Sequence, residues 1–254
     1  MQECSIELLG TGTSDGIPCL GCPCAVCTSD DPRNKRLRTS AAIRFPENGA
    51  PRTLIIDAGL DFRQQLLRAG IAALDAVLLT HAHADHVEGL TELRPLSRGA
   101  DKCLPCYGNR RTLREIRKRF AYMFSGRQTG GGLPRLALRA VDGPFNACGR
   151  TVIPLPVLHG REKILGYRFG ELAYITDASA VPETTLALLA GIRVLVIHAL
   201  RHRPHSTHFS VGEAVALAEK TGAVTVRLVH LSHHAEHQAL LAERRTAQDE
   251  RRHQ

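Results

Sequence analysis

The stretch "THAHADHVEG", Thr80 to Gly89, puts His81, His83, Asp85 and His86 within six residues. It continues the apolar run "DAVLLT", which reads as a buried strand from Asp75 to Thr80, so the four groups fall in a strand-end loop. Imidazole and carboxylate donors at this density suit zinc, manganese or iron. In such a loop, alternate residues can face one ion while their neighbours face a second. Packing does not account for the pattern, because four polar groups would be costly to bury unpaired.

One loop cannot supply a pair of metals, so the rest of the chain has to. "TVIPLPVLHG", "LAYITDAS", "IRVLVIHAL" and "TVRLVHLSHH" read as further buried strands. They end in His159, Asp177, the region of His198, and His230. Taken singly, a histidine at a strand end is more often a hydrogen-bonded core or surface residue. Behind the dense loop, His159, Asp177 and His230 become candidate ligands.

"TLIIDAG" (Thr53–Gly59) reads as a strand running into a turn, followed by a helix with Phe62, Leu66 and Leu67 on one face and Gly70 as its stop. "SVGEAVALAEKTG" is a helix with a capping box at Ser210 and Glu213 and a stop at Gly222. Strands alternating with helices make the chain α/β. In residues 108–135, Leu113, Ile116 and Phe120 keep helical spacing while arginines fill the opposite face, and a Gly130-Gly131-Gly132 run follows. That segment reads as a basic helical insertion between two strand-rich halves. Its arginines are either a solvated face or an attraction for a phosphorylated substrate. The tail after Gln238 is polar and basic and reads as a frayed helix.

The 254 residues carry a net charge of +8, which favours anionic partners without choosing among phosphates and nucleic acid. No apolar run approaches the roughly 18 residues of a membrane helix, and the N-terminus lacks the pattern of a secretion signal. The expectation is a cytoplasmic protein that uses no membrane. In a reducing compartment, eight cysteines are metal ligands or plain thiols rather than staples. "GCPCAVC" places Cys22, Cys24 and Cys27 where three thiolates can converge on zinc, and a structural zinc site takes a fourth ligand. Cys103 and Cys106 have redox spacing but read as unpaired thiols beside a strand. Cys4, Cys19 and Cys148 read as packing residues, with Cys19 near enough to the cluster to substitute as a ligand. Thr11, Thr13 and Ser14 lie in a Gly-rich loop after the first strand, where hydroxyls and backbone N–H groups could meet phosphate oxygens. "HRPHSTHFS" offers His202, His205 and His208 as a proton donor, and composition alone does not choose among them.

The H-x-H-x-D-H motif, with His159, Asp177 and His230 in order after it, resembles the metallo-β-lactamase superfamily. The resemblance covers nearly the whole chain. "LGTGTSDGIP", the cysteine cluster, "DPRNKRLRTSA" and "HSTHFS" narrow it to the subfamily of phosphoribosyl cyclic phosphate phosphodiesterases. The resemblance implies one domain over residues 1–254, a four-layer αββα sandwich with metals at one edge, and a Cys-rich zinc loop at 18–40. It implies that His81, His83 and His159 hold one divalent metal (zinc or manganese), that Asp85, His86 and His230 hold the other, and that Asp177 bridges them. A bridging hydroxide, positioned by Asp85, would attack the phosphorus, and His208 would be the general acid. Thr13, Ser14, His205 and Thr207 would bind the phosphate. The second histidine of "HLSH", His233, would close the structural zinc site, with His234 as competitor. The implied activity is hydrolysis of a small cyclic phosphate or nucleotide phosphodiester by a homodimer. An RNA-processing nuclease of the same superfamily is the alternative, and a thioester or lactam hydrolase stands behind it.

Overall fold

The computed structural model describes residues 4–98, 102–126 and 132–242. Gly130 and Gly131 of the glycine run, and the tail beyond residue 242, lie outside the described residues. Among the described residues, no helix is long and apolar enough to cross a membrane.

Two six-stranded sheets face each other. The first comprises, in spatial order, β1 (Ser5–Gly10), β2 (Ser40–Glu47), β3 (Ala50–Ile56), β4 (Ala76–Leu78), β5 (Leu104–Gly108) and β6 (Leu136–Ala140). The second contains β7 (Phe145–Ala147), β8 (Arg150–His159), β9 (Glu162–Phe169), β10 (Leu172–Ile175), β11 (Val194–His198) and β12 (Thr225–Val229), ordered from β12 at one edge to β7 at the other. Each sheet is antiparallel in one half and parallel in the other: β3 to β6 run parallel, as do β10 to β12.

Side-chain alternation along the strands builds the layers. Leu54 and Ile56 point between the sheets, where they meet Tyr167, Tyr174 and Val196. Their neighbour Ile55 points the other way, into a cluster with Phe62 and Leu66 of helix α1 (Phe62–Arg68). In the second sheet Leu195 and Ile197 face outward onto α5 (Glu183–Leu188) and α6 (Val211–Thr221), while Val196 faces inward. Period-two alternation of apolar residues on both faces requires cover on both faces, and helix–sheet–sheet–helix is the result. Two short helices lie between: α2 (Ala84–Val87), which carries Asp85 and His86, and α4 (Ala121–Phe124).

The segment read as an insertion carries α3 (Arg110–Arg119), which connects the parallel neighbours β5 and β6. A parallel pair needs a crossover, and Leu113, Ile116 and Phe120 anchor this one in the core. Two of its arginines meet carboxylates: Arg111 pairs with Glu162, and Arg119 reaches Glu88 at 3.3 Å and the Ala82 carbonyl at 2.9 Å. The capping box at Ser210 and Glu213 is formed, and Gly222 ends α6 with φ 66°.

Candidate metal centre

The parallel halves of both sheets end at the same edge, so their C-terminal residues converge there, as ligand-binding residues do in open α/β sheets. Asp57 follows β3, His81 to His86 follow β4, His159 and His198 end β8 and β11, and Asp177 and His230 follow β10 and β12. The donor atoms of His81, His83 and His159 lie within 4.8 Å of one another, as do those of Asp85, His86 and His230. Asp177 joins the two sets. Its carboxylate lies 3.2 Å from His86 Nε2 and 3.0 Å from His230 Nε2, and it groups with His81 as well.

Whether these residues suit a pair of divalent cations can be tested on their own hydrogen bonds. His81 Nε2 and His230 Nδ1 are buried without a hydrogen-bond partner, and His86 Nε2 and His230 Nε2 face only the Asp85 and Asp177 carboxylates at 3.0–3.5 Å, a crowding of donors that a cation would use. The Nδ1 atoms of His81, His86 and His159 are held. Asp57 Oδ2 lies 2.7 Å from His86 Nδ1 and accepts the Thr80 hydroxyl at 2.7 Å, while Asp57 Oδ1 accepts the Thr80 N–H at 2.8 Å. Because the Thr80 hydroxyl donates to Asp57, its oxygen is free to accept from His81 Nδ1, 3.0 Å away. His159 Nδ1 donates to the Thr207 carbonyl at 2.8 Å. In these three rings Nδ1 has an acceptor for its proton, which leaves Nε2 to offer a lone pair to a cation, the arrangement metal-binding histidines need. Five imidazoles and two carboxylates fit zinc or another borderline cation.

The electrostatics agree. Burial opposes charge on His86, but the carboxylates of Asp85, Asp177 and Asp57 override it and hold its pKa well above the ordinary value. Burial would raise Asp85 and Asp177, yet the surrounding histidines hold both far below the usual carboxylate range. Burial, then His86, drives His81 well down. The centre therefore presents ionised carboxylates beside a His86 ring that they keep charged until a cation takes its place.

His208 enters from the loop before α6. Its Nδ1 is 3.7 Å from Asp177 Oδ1, and its ring is 4.7 Å from that of His159. Burial lowers its pKa to about 3, against the pull of Asp177. His205 is exposed, with its ring 5.0 Å from His208. Thr207 meets the centre through its carbonyl, and its hydroxyl lies 3.2 Å from His205 Nδ1. Thr13 is buried and Ser14 exposed; their loop reaches the site by backbone pairing, Thr13 N–H to the Leu231 carbonyl at 3.0 Å. His202 lines a separate surface cavity with Arg201, Arg203 and His234. A cleft of about 200 Å³ opens beside His81 and His83, bordered by Arg111, Arg119 and Lys163.

The second cluster is Cys22, Cys24, Cys27 and His233. The three sulfurs lie 3.2, 3.6 and 3.6 Å from His233 Nδ1. Ligands at tetrahedral corners of a zinc ion stand about 3.5 Å apart for one sulfur and one nitrogen. His233 faces the thiols, while His234 turns to the arginine-lined cavity. Cys19 gives its backbone N–H to Cys27 Sγ at 3.3 Å, and its own thiol reaches the Gly16 carbonyl. All eight cysteines are free; Cys103 is exposed, and Cys106 is buried in β5 with its pKa pushed up to about 12.

Two buried residues with no role in the sequence reading belong to this edge. Asp57 holds Thr80 and His86, and the trace of it in "IIDAG" is an acid closing an apolar strand. His198 is marked in sequence only as a strand-end histidine; its Nδ1 accepts the Asp177 backbone N–H at 3.0 Å.

A model of the beta-lactamase superfamily domain matches residues 52–231. The octanoyltransferase of Porphyromonas gingivalis is 43% identical over 231 residues, 90% of this chain and 46% of that protein, so the chain spans about half the length of this relative. A solved diphosphatase of the PhnP family superposes with a TM-score of 0.86 at 38% identity, covering 94% of this chain and 91% of the other. Zinc-bound PqqB of Methylobacterium extorquens superposes at 0.67 with 20% identity, over 91% and 90% of the two chains, which speaks for the fold alone.

Proposed function

Because the chain belongs to the metallo-β-lactamase superfamily, and within it to the PhnP family, we propose that it is a metal-dependent phosphodiesterase acting on a small cyclic phosphate or nucleotide phosphodiester. The observation that carries the reading is the seven-donor centre with His208 beside Asp177. His81, His83 and His159 would hold one cation, and Asp85, His86 and His230 the other, with Asp177 between them. Zinc or manganese there supplies a water of lowered pKa and neutralises phosphate charge.

The chain's own groups do the rest. Asp57 and Thr80 orient His86 and His81. Asp85 accepts a hydrogen bond from the attacking water and aims it. Burial disfavours the His208 imidazolium, and an incoming phosphate anion favours it, with Nδ1–H toward Asp177 and Nε2–H for the departing alkoxide. Thr13, Ser14, His205 and Thr207 belong to the phosphate-binding wall in this reading. The cleft beside His83 receives the leaving group. Its Arg111 and Arg119 are already paired with Glu162 and Glu88, which supports a small substrate over an RNA backbone. A zinc ion on the three thiolates and His233, and a homodimeric assembly whose mass light scattering would read, complete the proposal.

The diphosphatase relative supports phosphoester chemistry, while the octanoyltransferase keeps acyl thioesters in the comparison. Turnover of a ribose cyclic phosphate, 2′,3′-cyclic nucleotides, a nucleoside diphosphate derivative, a precursor tRNA and an acyl thioester, each with zinc and with manganese, tests it. Exclusive turnover of the tRNA or the thioester would overturn the proposal.

A further inference from the structure

We propose that His198 is a further catalytic residue, whose Nε2–H donates a hydrogen bond to a non-bridging oxygen of the scissile phosphate. The proposal deepens the phosphodiesterase reading and rests on it for the identity of the acceptor.

His198 is fully buried at the end of β11, at 0% exposure. One ring nitrogen lies within 4.8 Å of donor atoms of Asp177, His208 and His230, so proximity alone would make it an eighth ligand. The hydrogen bond on the other side of the ring excludes that. Nδ1 faces the backbone N–H of Asp177 at 3.0 Å, and an amide N–H can only donate. Nδ1 therefore keeps its lone pair, and the single proton of the neutral ring sits on Nε2. This is the reverse of His81, His86 and His159, whose Nδ1 atoms face acceptors. In those rings Nε2 carries the lone pair, whereas in His198 it carries the proton.

Nε2 of His198 is buried without a partner. His208 lies flat against the ring, 4.6 Å away at 13°, and His230 lies 4.7 Å away at 34°. Rings stacked in this way present faces rather than in-line nitrogen lone pairs to an N–H that points out of the ring edge. A buried donor with no acceptor at a site built for an anion marks where an oxygen of that anion docks. Fixed in the core and tied to the Asp177 backbone, it needs no reorganisation as charge builds on the phosphoryl oxygens, which is how an oxyanion donor lowers a barrier.

Two amide substitutions separate the halves of the ring. His198→Asn keeps an acceptor for the Asp177 N–H and lacks the donor at the Nε2 position. His198→Gln places an amide N–H near Nε2 and loses the acceptor. The expected result is a fall in kcat of about 10²–10³-fold in His198→Asn, with KM and metal content near wild type, and partial rescue in His198→Gln. Orthovanadate, a mimic of the transition state, should bind His198→Asn more weakly by a similar factor. A purely structural role would reverse the order, leaving Asn better than Gln. Two-bond ¹⁵N NMR of the metal-free protein should find His198 as the Nε2–H tautomer. The Nδ1–H tautomer, or an Asn variant with wild-type turnover and vanadate affinity, overturns the proposal. A wild-type protein inert to every phosphodiester sinks the functional reading instead, and the NMR tautomer with vanadate binding then still decides on His198.

Discussion

Asp57→Asn should weaken the metal centre without touching a ligand. The substitution is nearly isosteric, and asparagine tolerates the left-handed backbone found at this position, φ 60°. Its chemistry is reversed at one atom. Asp57 Oδ1 accepts the Thr80 N–H, and an asparagine carbonyl can replace it. Oδ2 faces two donors, His86 Nδ1–H at 2.7 Å and the Thr80 hydroxyl at 2.7 Å. An amide NH₂ there would point donors at donors. Relief requires His86 to move its proton to Nε2, where the metal lone pair belongs, and the Thr80 hydroxyl to turn toward His81 Nδ1, which asks the same of His81. Loss of such an outer partner lowers metal affinity about 10–100-fold, or about 1.4–2.7 kcal/mol per site. The His86 site should suffer the larger loss, since Thr80 is a rotor and can absorb part of the change before His81 feels it. Stability should fall by about 1–3 kcal/mol for the poorly satisfied buried donor. Chelator competition with metal analysis by mass spectrometry reads both sites, and denaturant unfolding reads the fold. Two catalytic metals held within twofold of wild-type affinity in a folded Asp57→Asn protein would refute the reasoning, because the tautomers would then not depend on Asp57.

His208→Ala should cut turnover about 10²–10⁴-fold while metal content stays at the wild-type level; loss of metal would make His208 a ligand instead. Cys24→Ser should remove one tightly bound zinc that survives in His81→Ala, and unchanged metal content in Cys24→Ser would end the structural-zinc assignment. In the metal-free protein the Cys24 pKa is lowered to about 6 by the Cys27 backbone N–H, so its thiolate predominates at pH 7 and the iodoacetamide rate should fall as pH drops through about 6. Cys106, pushed up to about 12 by burial, should stay unlabelled, and added zinc should protect Cys24. Gly89→Ala should cost about 2–3 kcal/mol and loosen the His86 site, because a Cβ there would stand 2.1 Å from the Gly59 carbonyl and 2.6 Å from Phe62 Cβ; wild-type unfolding in that variant would contradict the packing.

Much of the centre is legible in sequence because its chemistry is dense and local. His81, His83, Asp85 and His86 share one loop, and the later donors each end an apolar strand. The alternation of Leu54, Ile55 and Ile56 likewise carries the two-faced burial that makes a four-layer fold. Asp57 and His198 were not legible as working residues, since their meaning lies in a partner atom 21 to 29 residues away. An acid at a strand end looks the same whether it meets water or His86 Nδ1. The α3 arginines, left open in sequence between a solvated face and an attraction for phosphate, include two, Arg111 and Arg119, that pair with Glu162 and Glu88 from other elements. Charge counts along a chain do not record which cations are already partnered.

The backbone at this edge is strained in a pattern that assigns the thiolate cluster its place. Asp57, Asp177 and His230 have φ of 60°, 54° and 59°, while the other non-glycine residues with positive φ among those described, Asn48 and Cys148, sit in hairpin turns. A residue continuing its strand would send the next side chain to one sheet face or the other. The left-handed turn swings it instead into the cleft between the sheets, at about 1–2 kcal/mol per residue. Such a conformation lasts only where neighbours hold it. Asp177 is held by His198, and Asp57 by Thr80. For His230 the restraint comes from the next three residues. Leu231 exchanges backbone hydrogen bonds with Thr11 and Thr13, Ser232 donates its N–H to Leu200 and accepts from buried Arg36, and His233 meets the three sulfurs. The cysteine loop reaches the same segment a second time through Asn34, which hydrogen-bonds Glu236 and His237. Because these contacts do not pass through the thiolates, zinc loss should leave the segment attached yet less rigid. In the proposed enzyme the cysteines would bear on catalysis only through the aim of His230.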